Sequence, residues 1–168
     1  MFPDARAFAA PARAQSDLIV LDANTPPSPG GKVFVHDQLV RFSHCDPAGI
    51  VYYPAFLDLA HATKEDWFSE GLGYSHFDLI RERRLGTPTV NLQCDFFRAV
   101  EMGQLLRFEL RVVRLGGASM QYSLRGKVGD EECLQILQTV AFMHLDTRKA
   151  VPIPDDLRPR IAQYLAEP

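Results

Sequence analysis

A carboxylate just ahead of a predicted helix start is the feature of this sequence best suited to chemistry. Asp46 stands in a turn that contains Pro47 and Gly49, and an apolar segment leads on to Pro54, a residue suited to a first helical turn. A carboxylate can act as a nucleophile or as a general base. The first amides of a helix stabilise negative charge. The pattern therefore predicts two of the parts that acyl transfer requires.

The same residues carry a resemblance to a known family. The segment Asp46–Pro54, with the sequence DPAGIVYYP, resembles the signature of the 4-hydroxybenzoyl-CoA thioesterase family, whose members are acyl-CoA thioesterases of the hotdog fold. A second landmark of that family resembles Gly86-Thr87-Pro88. The resemblance extends from about residue 33 to residue 157. It implies hydrolysis of an aryl-CoA such as 4-hydroxybenzoyl-CoA, or of a short-chain acyl-CoA, to free acid and CoA.

Several helix-start amides are candidate donors to the oxyanion of a thioester. Pro54 has no N–H, which leaves Tyr53, Ala55 and Phe56, and the resemblance selects the backbone amide of Tyr53. The resemblance makes Asp46 the attacking group, either as a nucleophile that forms a mixed anhydride or as a general base on water. His44 is an accessory candidate, because on an extended strand it would share a face with Asp46.

The resemblance also implies a substrate pocket. The side chain of Tyr52 would lie near an aryl group, and the family's second landmark would line the acyl pocket across a subunit interface. Where the aromatic-specific enzyme has a basic cluster for the CoA phosphates, this chain has Gly116-Gly117-Ala118, and Arg114 is the nearest cation. The predicted pocket residues are Tyr52, Gly86, Thr87, Pro88 and Thr89.

Other readings of these residues stay open at this point. Asp46 has the sequence context of an ordinary turn aspartate. Glu65 is a competing acid, since related hotdog thioesterases place theirs on the long helix, but its spacing predicts a solvated face. Cys45 is expected to be a reduced core thiol. A hotdog dehydratase or hydratase that uses His44 with Asp46, and a non-catalytic acyl-CoA binding module, are the alternative functions.

Composition limits the class of protein. The chain has 168 residues, a length typical of one domain, and its 18 Lys and Arg against 21 Asp and Glu leave no basic stripe for nucleic acid. Its three cysteines lack metal-ligand spacing, which predicts a reducing cytoplasm and no metal or other cofactor beyond CoA as part of the substrate. No segment is long enough to span a membrane. The resemblance implies a homo-oligomer, a dimer of dimers.

The predicted elements place Asp46 between a strand and a long helix. Residues 1–31 are rich in Ala and Pro and are predicted to be a flexible extension. Residues 32–168 are expected to form the thioesterase domain that the resemblance implies, with a short C-terminal helix. Alternation predicts a leading strand over residues 33–43, and helical spacing predicts a helix over residues 54–70 and a shorter one over 76–84. Four strands with tight turns follow. The expected fold is therefore α+β, an antiparallel sheet around a central helix, in agreement with the hotdog fold.

Overall fold

Five antiparallel strands form the main sheet of the protein, in the order β1-β4-β5-β6-β3. The computed structural model describes residues 30–166, so the predicted extension over residues 1–31 lies outside the described residues except for its last two. A second sheet has the order β2-β7-β8. In chain order the strands are β1 (Phe34–Leu39), β2 (Leu85–Gly86), β3 (Thr89–Phe96), β4 (Leu105–Leu115), β5 (Ser119–Val128), β6 (Glu131–Ala141), β7 (Met143–His144) and β8 (Lys149–Ala150).

One long helix packs on the main sheet. It is α1 (Tyr53–Asp66), it has a proline in its first turn, and it continues into a π-helical turn, Trp67–Gly71. Two short helices follow, α2 (His76–Arg81) and α3 (Arg158–Ala162). The predicted α+β architecture is confirmed. No helix within residues 30–166 has the length and apolar character needed to cross a membrane.

The core between α1 and the sheet follows the predicted alternation on β4. Leu106, Phe108, Leu110 and Val112 are fully buried there. The π-helical turn contributes Trp67, which is also fully buried and whose ring packs against neighbouring aromatic rings. Burial of these large apolar side chains is the main force that holds α1 against the sheet.

The inward face of β1 differs from the predicted one. The sequence predicts Val33, Val35, Leu39 and Phe42 as inward residues. Instead Phe34 is buried, Val35 and Leu39 are about half exposed, and Phe42 is 82% exposed. The prediction is therefore wrong by one residue of register, which exchanges the two faces of a strand.

A polar contact between β1 and the helix explains the shift. The side-chain amide nitrogen of Gln38, Nε2, donates to the carbonyl oxygen of Leu59 at 2.7 Å and to the hydroxyl of Thr63 at 2.8 Å. The Thr63 hydroxyl itself donates to the same carbonyl. A buried polar group is acceptable when it is hydrogen bonded. A hydrophobic pattern alone therefore assigns Gln38 to the wrong face.

The end of the sheet also differs from the expectation. The sequence predicts one long strand over residues 132–146, but β6 ends at Ala141 and β7 belongs to the small sheet. The backbone amide of Phe142 donates to Ala118, and Val151 donates back to Phe142. The chain therefore changes sheets at Phe142, which is fully buried.

A glycine near the end of β5 makes room for the core. A Cβ built on Gly126 would lie 2.1 Å from Leu134 Cδ2 and 3.3 Å from Leu106 Cδ1. We expect Gly126→Ala to lower the free energy of unfolding by about 1–3 kcal/mol, because both leucines are fully buried and must shift. Urea unfolding measures this. Gly117→Ala is the matched control, since nothing lies within 4 Å of its Cβ position, and an equal loss in both variants would contradict the overpacking explanation.

Four side chains tie the C-terminal segment to the end of the helix, and we call them the C-terminal clasp: Tyr74, Arg83, Asp156 and Arg160. Both arginines lie over the Tyr74 ring, and the Tyr74 hydroxyl and Arg83 donate to the Asp156 carboxylate. Arg160 also donates to the carbonyl oxygen of Leu72 at 2.7 Å. The clasp therefore joins the C-terminal segment to the turn that follows α1 and its π-helical extension.

The clasp should make the stability of the protein depend on pH through Asp156. The Tyr74 hydrogen bond, with help from Arg83, holds the pKa of Asp156 below its usual range. The carboxylate thus contributes stability that is present above the pKa of an unfolded Asp, about 3.9, and that is lost as pH falls through the lowered folded pKa. We expect Asp156→Asn to lower Tm by about 2–4 °C at pH 7 and by less at pH 3. A Tm difference that is the same at both pH values would contradict this.

Candidate active site

The Asp46 turn is fixed by three hydrogen bonds of Asp46 itself. Its side-chain Oδ1 accepts from the amide of Ala48 at 2.8 Å, and its carbonyl oxygen accepts from the amide of Gly49 at 2.9 Å. Its own amide donates to the carbonyl oxygen of Ile50 at 2.9 Å. These bonds form an Asx turn inside a β-turn. One carboxylate oxygen is thereby held, and the half-buried side chain keeps a defined orientation.

A neighbouring loop holds this turn in place. The amide of Val51 donates to the carbonyl oxygen of Val100 at 2.8 Å, and the amide of Met102 donates to the carbonyl oxygen of Gly49 at 3.3 Å. Gly49 has a φ of 79°, a left-handed conformation that favours glycine. Val51 and Val100 are both buried. The turn is thus attached to the protein on the side that faces the start of β4.

The first amides of α1 differ in what they bond. Those of Ala55 and Phe56 both donate to the carbonyl oxygen of Tyr52, at 2.9 and 3.4 Å. The amide of Tyr53 has no acceptor among residues 30–166. An N–H at a helix start that bonds nothing in the protein is available to an oxyanion. Of the three candidate donors, Tyr53 is therefore the one with a free amide in the described part of the chain.

An open aromatic cleft of about 320 Å³ begins at Tyr53. The ring centroids of Phe56 and Phe96, which both line it, are 5.5 Å apart, and Phe97, also in the lining, is 55% exposed. Ile50 and Val51, which follow the Asp46 turn, belong to the same lining. We call this the aromatic cleft, and its lining includes Val51, Tyr53, Phe56, Phe96, Phe97 and Arg98.

Two of the predicted site residues, Tyr52 and His44, do not belong to the described lining of the aromatic cleft. The Tyr52 side chain is 42% exposed and does not belong to the described cleft lining, which contains Tyr53 instead. His44 lies in a 3-10 turn, Phe42–His44, and its Nδ1 accepts from the amide of Arg41 at 3.1 Å. The extended strand that would align His44 with Asp46 is therefore absent from this part of the described structure, and that reason for an accessory role is wrong.

The second predicted segment lies at the other end of β3. Thr89 begins this strand and Phe96 ends it, so the two ends are about 23 Å apart. Thr87 is buried, the carbonyl oxygen of Pro88 accepts from Ala141, and Gly86 lies in β2. Within one chain, the structure therefore does not bring the segment Gly86–Thr89 to Asp46.

The cations expected near CoA are distributed along the sheet. Arg114 lies near the end of β4 where Met120, Val140 and Thr89 pair, and so shares the Thr89 end. Arg125 pairs with Glu132, and Lys127 donates to Glu109 at 2.8 Å. Arg125 and Lys127 are therefore both engaged in ion pairs with carboxylates of the same sheet.

The competing groups of the sequence have other surroundings. Glu65 lies about 18 Å along α1 from Tyr53, and its Oε1 is 3.2 Å from His61 Nε2 and 3.8 Å from His76 Nδ1. Its side chain is about half exposed, as expected for a solvated face. Burial lowers the pKa of His76, with the Lys64 charge as a smaller cause. Cys45 is a free thiol that packs partly against the core.

Sequence reasoning missed the far wall of the cleft. Alternation assigns Phe96 only an inward position on a strand, and neither alternation nor the resemblance places Phe97 or Arg98 in a pocket. A signal was available, since two successive aromatic residues interrupt the alternation at the end of the predicted strand. That break marks a bulge, where the amides of Phe97 and Arg98 both donate to the carbonyl oxygen of Cys133.

Comparisons with known proteins agree with this fold. Two relatives named 1,4-dihydroxy-2-naphthoyl-CoA hydrolase are 29% and 26% identical to this chain, from Thermosynechococcus vestitus and Synechocystis. The first match covers 73% of this chain and 84% of the relative, and the second covers 72% and 88%. The crystal structure of a thioesterase superfamily protein from Jannaschia sp. CCS1 has a TM-score of 0.77 at 29% identity, over 85% of this chain and 99% of that one.

The family itself is shown by a match along most of the chain. The model of the Thioesterase-like superfamily matches residues 40–161, a range that contains the Asp46 turn, α1, the main sheet from β3 to β6 and most of α3. The predicted hotdog fold is thereby confirmed. The chain belongs to the Thioesterase-like superfamily and is an enzyme of the thioesterase class.

Proposed function

We propose that this protein hydrolyses an aryl acyl-CoA thioester, in the manner of the 4-hydroxybenzoyl-CoA thioesterase family, with Asp46 as the reacting carboxylate. The observation that carries the proposal is the pairing of two features at one end of the molecule. Asp46 is oriented by the Ala48 amide, and the Tyr53 amide at the start of α1 has no acceptor among the described residues. A carboxylate beside a helix-start donor matches the needs of acyl transfer.

The proposed reaction breaks the bond between the thioester carbonyl carbon and sulfur. The Tyr53 amide donates to the carbonyl oxygen, which becomes negatively charged as the carbon is attacked. Asp46 either attacks that carbon, so that water then hydrolyses a mixed anhydride, or removes a proton from the attacking water. The thiolate of CoA leaves in both cases. The proposal requires no metal or redox cofactor.

The aromatic cleft supports an aryl acyl group. Phe56, Phe96 and Phe97 offer ring faces and edges next to Tyr53, and aromatic rings pack favourably against one another. The two relatives described above carry names that specify a naphthoyl thioester, which is also aromatic. A short aliphatic acyl group would leave much of this apolar surface in water.

A second copy of the chain is proposed to complete the site. The edge strand β3 exposes Val90, Leu92 and Phe96, each between 41% and 48% exposed, beside a strand edge that pairs with no strand among residues 30–166. Such an edge is a template for pairing. Antiparallel pairing of two β3 strands about a two-fold axis would bring Thr89 of one copy next to Phe96 of the other. The segment Gly86–Thr89 would then face the partner's Asp46.

The same pairing gives a place for CoA and for the larger assembly. Arg114 shares the Thr89 end of the sheet, so a dimer would bring it to the side of the partner's site, where it is proposed to bind CoA phosphates. A dimer of dimers remains the proposed oligomer. A cytoplasmic location fits three free thiols, two of them half-buried and one buried. Nucleic acid and membranes are not proposed as partners.

Thiol release from a panel of acyl-CoA esters tests the proposal, with chromatography of the products. We expect free acid and CoA, and aryl esters such as 4-hydroxybenzoyl-CoA as better substrates than acetyl-CoA. Addition of water to an enoyl-CoA without thiol release would instead indicate a hydratase. Tight binding of acyl-CoA without turnover would indicate a binding module.

A further inference from the structure

Arg98 brings a positive charge to the aromatic cleft. It is the one residue with a charged side chain among the described residues that line the cleft. The other lining side chains are apolar or aromatic, with Phe96, Phe97 and Tyr53 among them. A guanidinium beside such a surface interacts with an anion more strongly than it would in bulk water. The cleft therefore combines a place for a ring with a place for a negative oxygen.

The bulge that ends β3 fixes the position of Arg98. The amides of Phe97 and Arg98 donate to the same carbonyl oxygen, that of Cys133, at 2.8 and 3.2 Å. Two residues thus lie opposite one, which redirects side chains at the end of a strand. Cys133 is fully buried in β6, so these two hydrogen bonds attach the bulge to the core of the protein. Arg98 reaches the cleft because of this bulge.

The present partner of Arg98 can be exchanged. Arg98 forms an ion pair with Glu131, whose side chain is 66% exposed, while that of Arg98 is 49% exposed. Ion pairs between exposed side chains contribute little to stability, typically about 0–1 kcal/mol. A substrate anion that enters the cleft can therefore compete for the guanidinium.

We propose that Arg98 is a specificity-determining residue that favours aromatic acyl groups with an anionic oxygen, a ring carboxylate or an acidic phenol. This inference rests on the proposed function. The guanidinium presents paired donors that match a carboxylate, and Phe96 and Phe97 pack against the ring. The thioester carbonyl lies at Tyr53 in the same cleft, so the ring substituent and the reacting carbon occupy its two sides.

A phosphate of CoA is the other anion that Arg98 could bind. The whole pantetheine arm separates the phosphates from the sulfur atom, whereas Arg98 and the Tyr53 amide belong to one cleft of about 320 Å³. The short distance across such a cleft favours a substituent on the acyl group. Substrates with and without phosphates distinguish the two sources.

The test uses benzoyl and 4-carboxybenzoyl thioesters, each on CoA and on N-acetylcysteamine, a carrier with no phosphate. We expect wild type to have the higher kcat/KM for the carboxylated ester on both carriers. Arg98→Met should reduce that preference about tenfold or more, mainly through KM, because the carboxylated ester loses more than the benzoyl ester does. Glu131→Gln is the matched control, since it removes the competing carboxylate and should keep or increase the preference.

Three results would overturn the inference. Equal losses for both acyl groups in Arg98→Met would show no role in selecting the acyl group, and a loss confined to CoA esters would assign Arg98 to a phosphate. Turnover by wild type without a preference would overturn the inference and leave the proposed function intact, whereas no turnover of any ester would overturn both. If Arg98→Met does not fold, Arg98→Gln provides the same comparison.

Discussion

Asp46→Asn should reduce kcat for thiol release at least about a hundredfold while the protein stays folded. The amide cannot form a mixed anhydride and is too weak a base to activate water. Its oxygen can still accept the hydrogen bond from the Ala48 amide, so the turn should keep its shape. Steady-state release of CoA from an aryl ester, with circular dichroism and Tm as folding checks, measures the effect.

Two other acids provide controls for this variant. Asp58→Asn changes an exposed carboxylate on α1, and Glu65→Gln changes the carboxylate near His61 and His76. Both should keep kcat within about threefold of wild type, because both carboxylates lie further along α1, away from the turn that holds Asp46 ahead of Tyr53. A hundredfold loss in Glu65→Gln with an active Asp46→Asn would transfer the catalytic role to the long helix.

Two inactive variants should restore activity when they are mixed. In the proposed dimer each site takes Asp46 from one copy and Thr89 from the other. Asp46→Asn and Thr89→Arg therefore damage the two different contributions to a site. After random subunit exchange, half of the dimers contain one copy of each variant, and each of these mixed dimers has one intact site. The mixture therefore contains about a quarter of the wild-type number of intact sites. Activity should rise from background to that level after subunit exchange, measured by thiol release.

The subunit-mixing experiment needs controls for the activity, the assembly and the folding of the variants. Each variant alone must stay at background, and native mass spectrometry should show the mixed dimer. Thr89 is exposed at the start of β3 but accepts a hydrogen bond from Gln138 at 2.6 Å, so a Tm measurement checks the Thr89→Arg fold. Mixed dimers without recovered activity, or an active Thr89→Arg homodimer, would contradict a site shared between copies.

Local sequence predicts the parts of the site that are local in the chain. Asp46, Gly49 and the helix start at Tyr53 lie within one short segment, where turn and helix signals act over a few residues. Alternation likewise predicts the buried face of β4, because Leu106, Phe108, Leu110 and Val112 have no polar exceptions. Elements of this kind need no knowledge of distant contacts.

Contacts between distant segments explain what the sequence did not predict. The register of β1 depends on the bond from Gln38 to the helix carbonyl at Leu59, which a hydrophobic pattern cannot include. The wall of Phe96, Phe97 and Arg98 depends on the pairing of β3 with β6 and on the bulge opposite Cys133. Such a bulge is decided by strand pairing rather than by residue preference.

Within one copy, the predicted pocket residues lie apart for a physical reason. The resemblance predicts one pocket from Tyr52 and the segment Gly86–Thr89 across a subunit interface, and within one copy β3 separates that segment from Asp46 by its full length. The sequence of a single chain contains no information on which end of an edge strand meets a partner. The two-fold symmetry of the proposed dimer would supply that relation.

Thiol release from 4-hydroxybenzoyl-CoA by wild type and Asp46→Asn, at equal concentration and with matched Tm, tests the central claim most directly. We predict steady release of CoA by wild type and a loss of at least about a hundredfold in the variant. No release by wild type from this or any other acyl-CoA, or equal release by the two proteins, would contradict hydrolysis at Asp46.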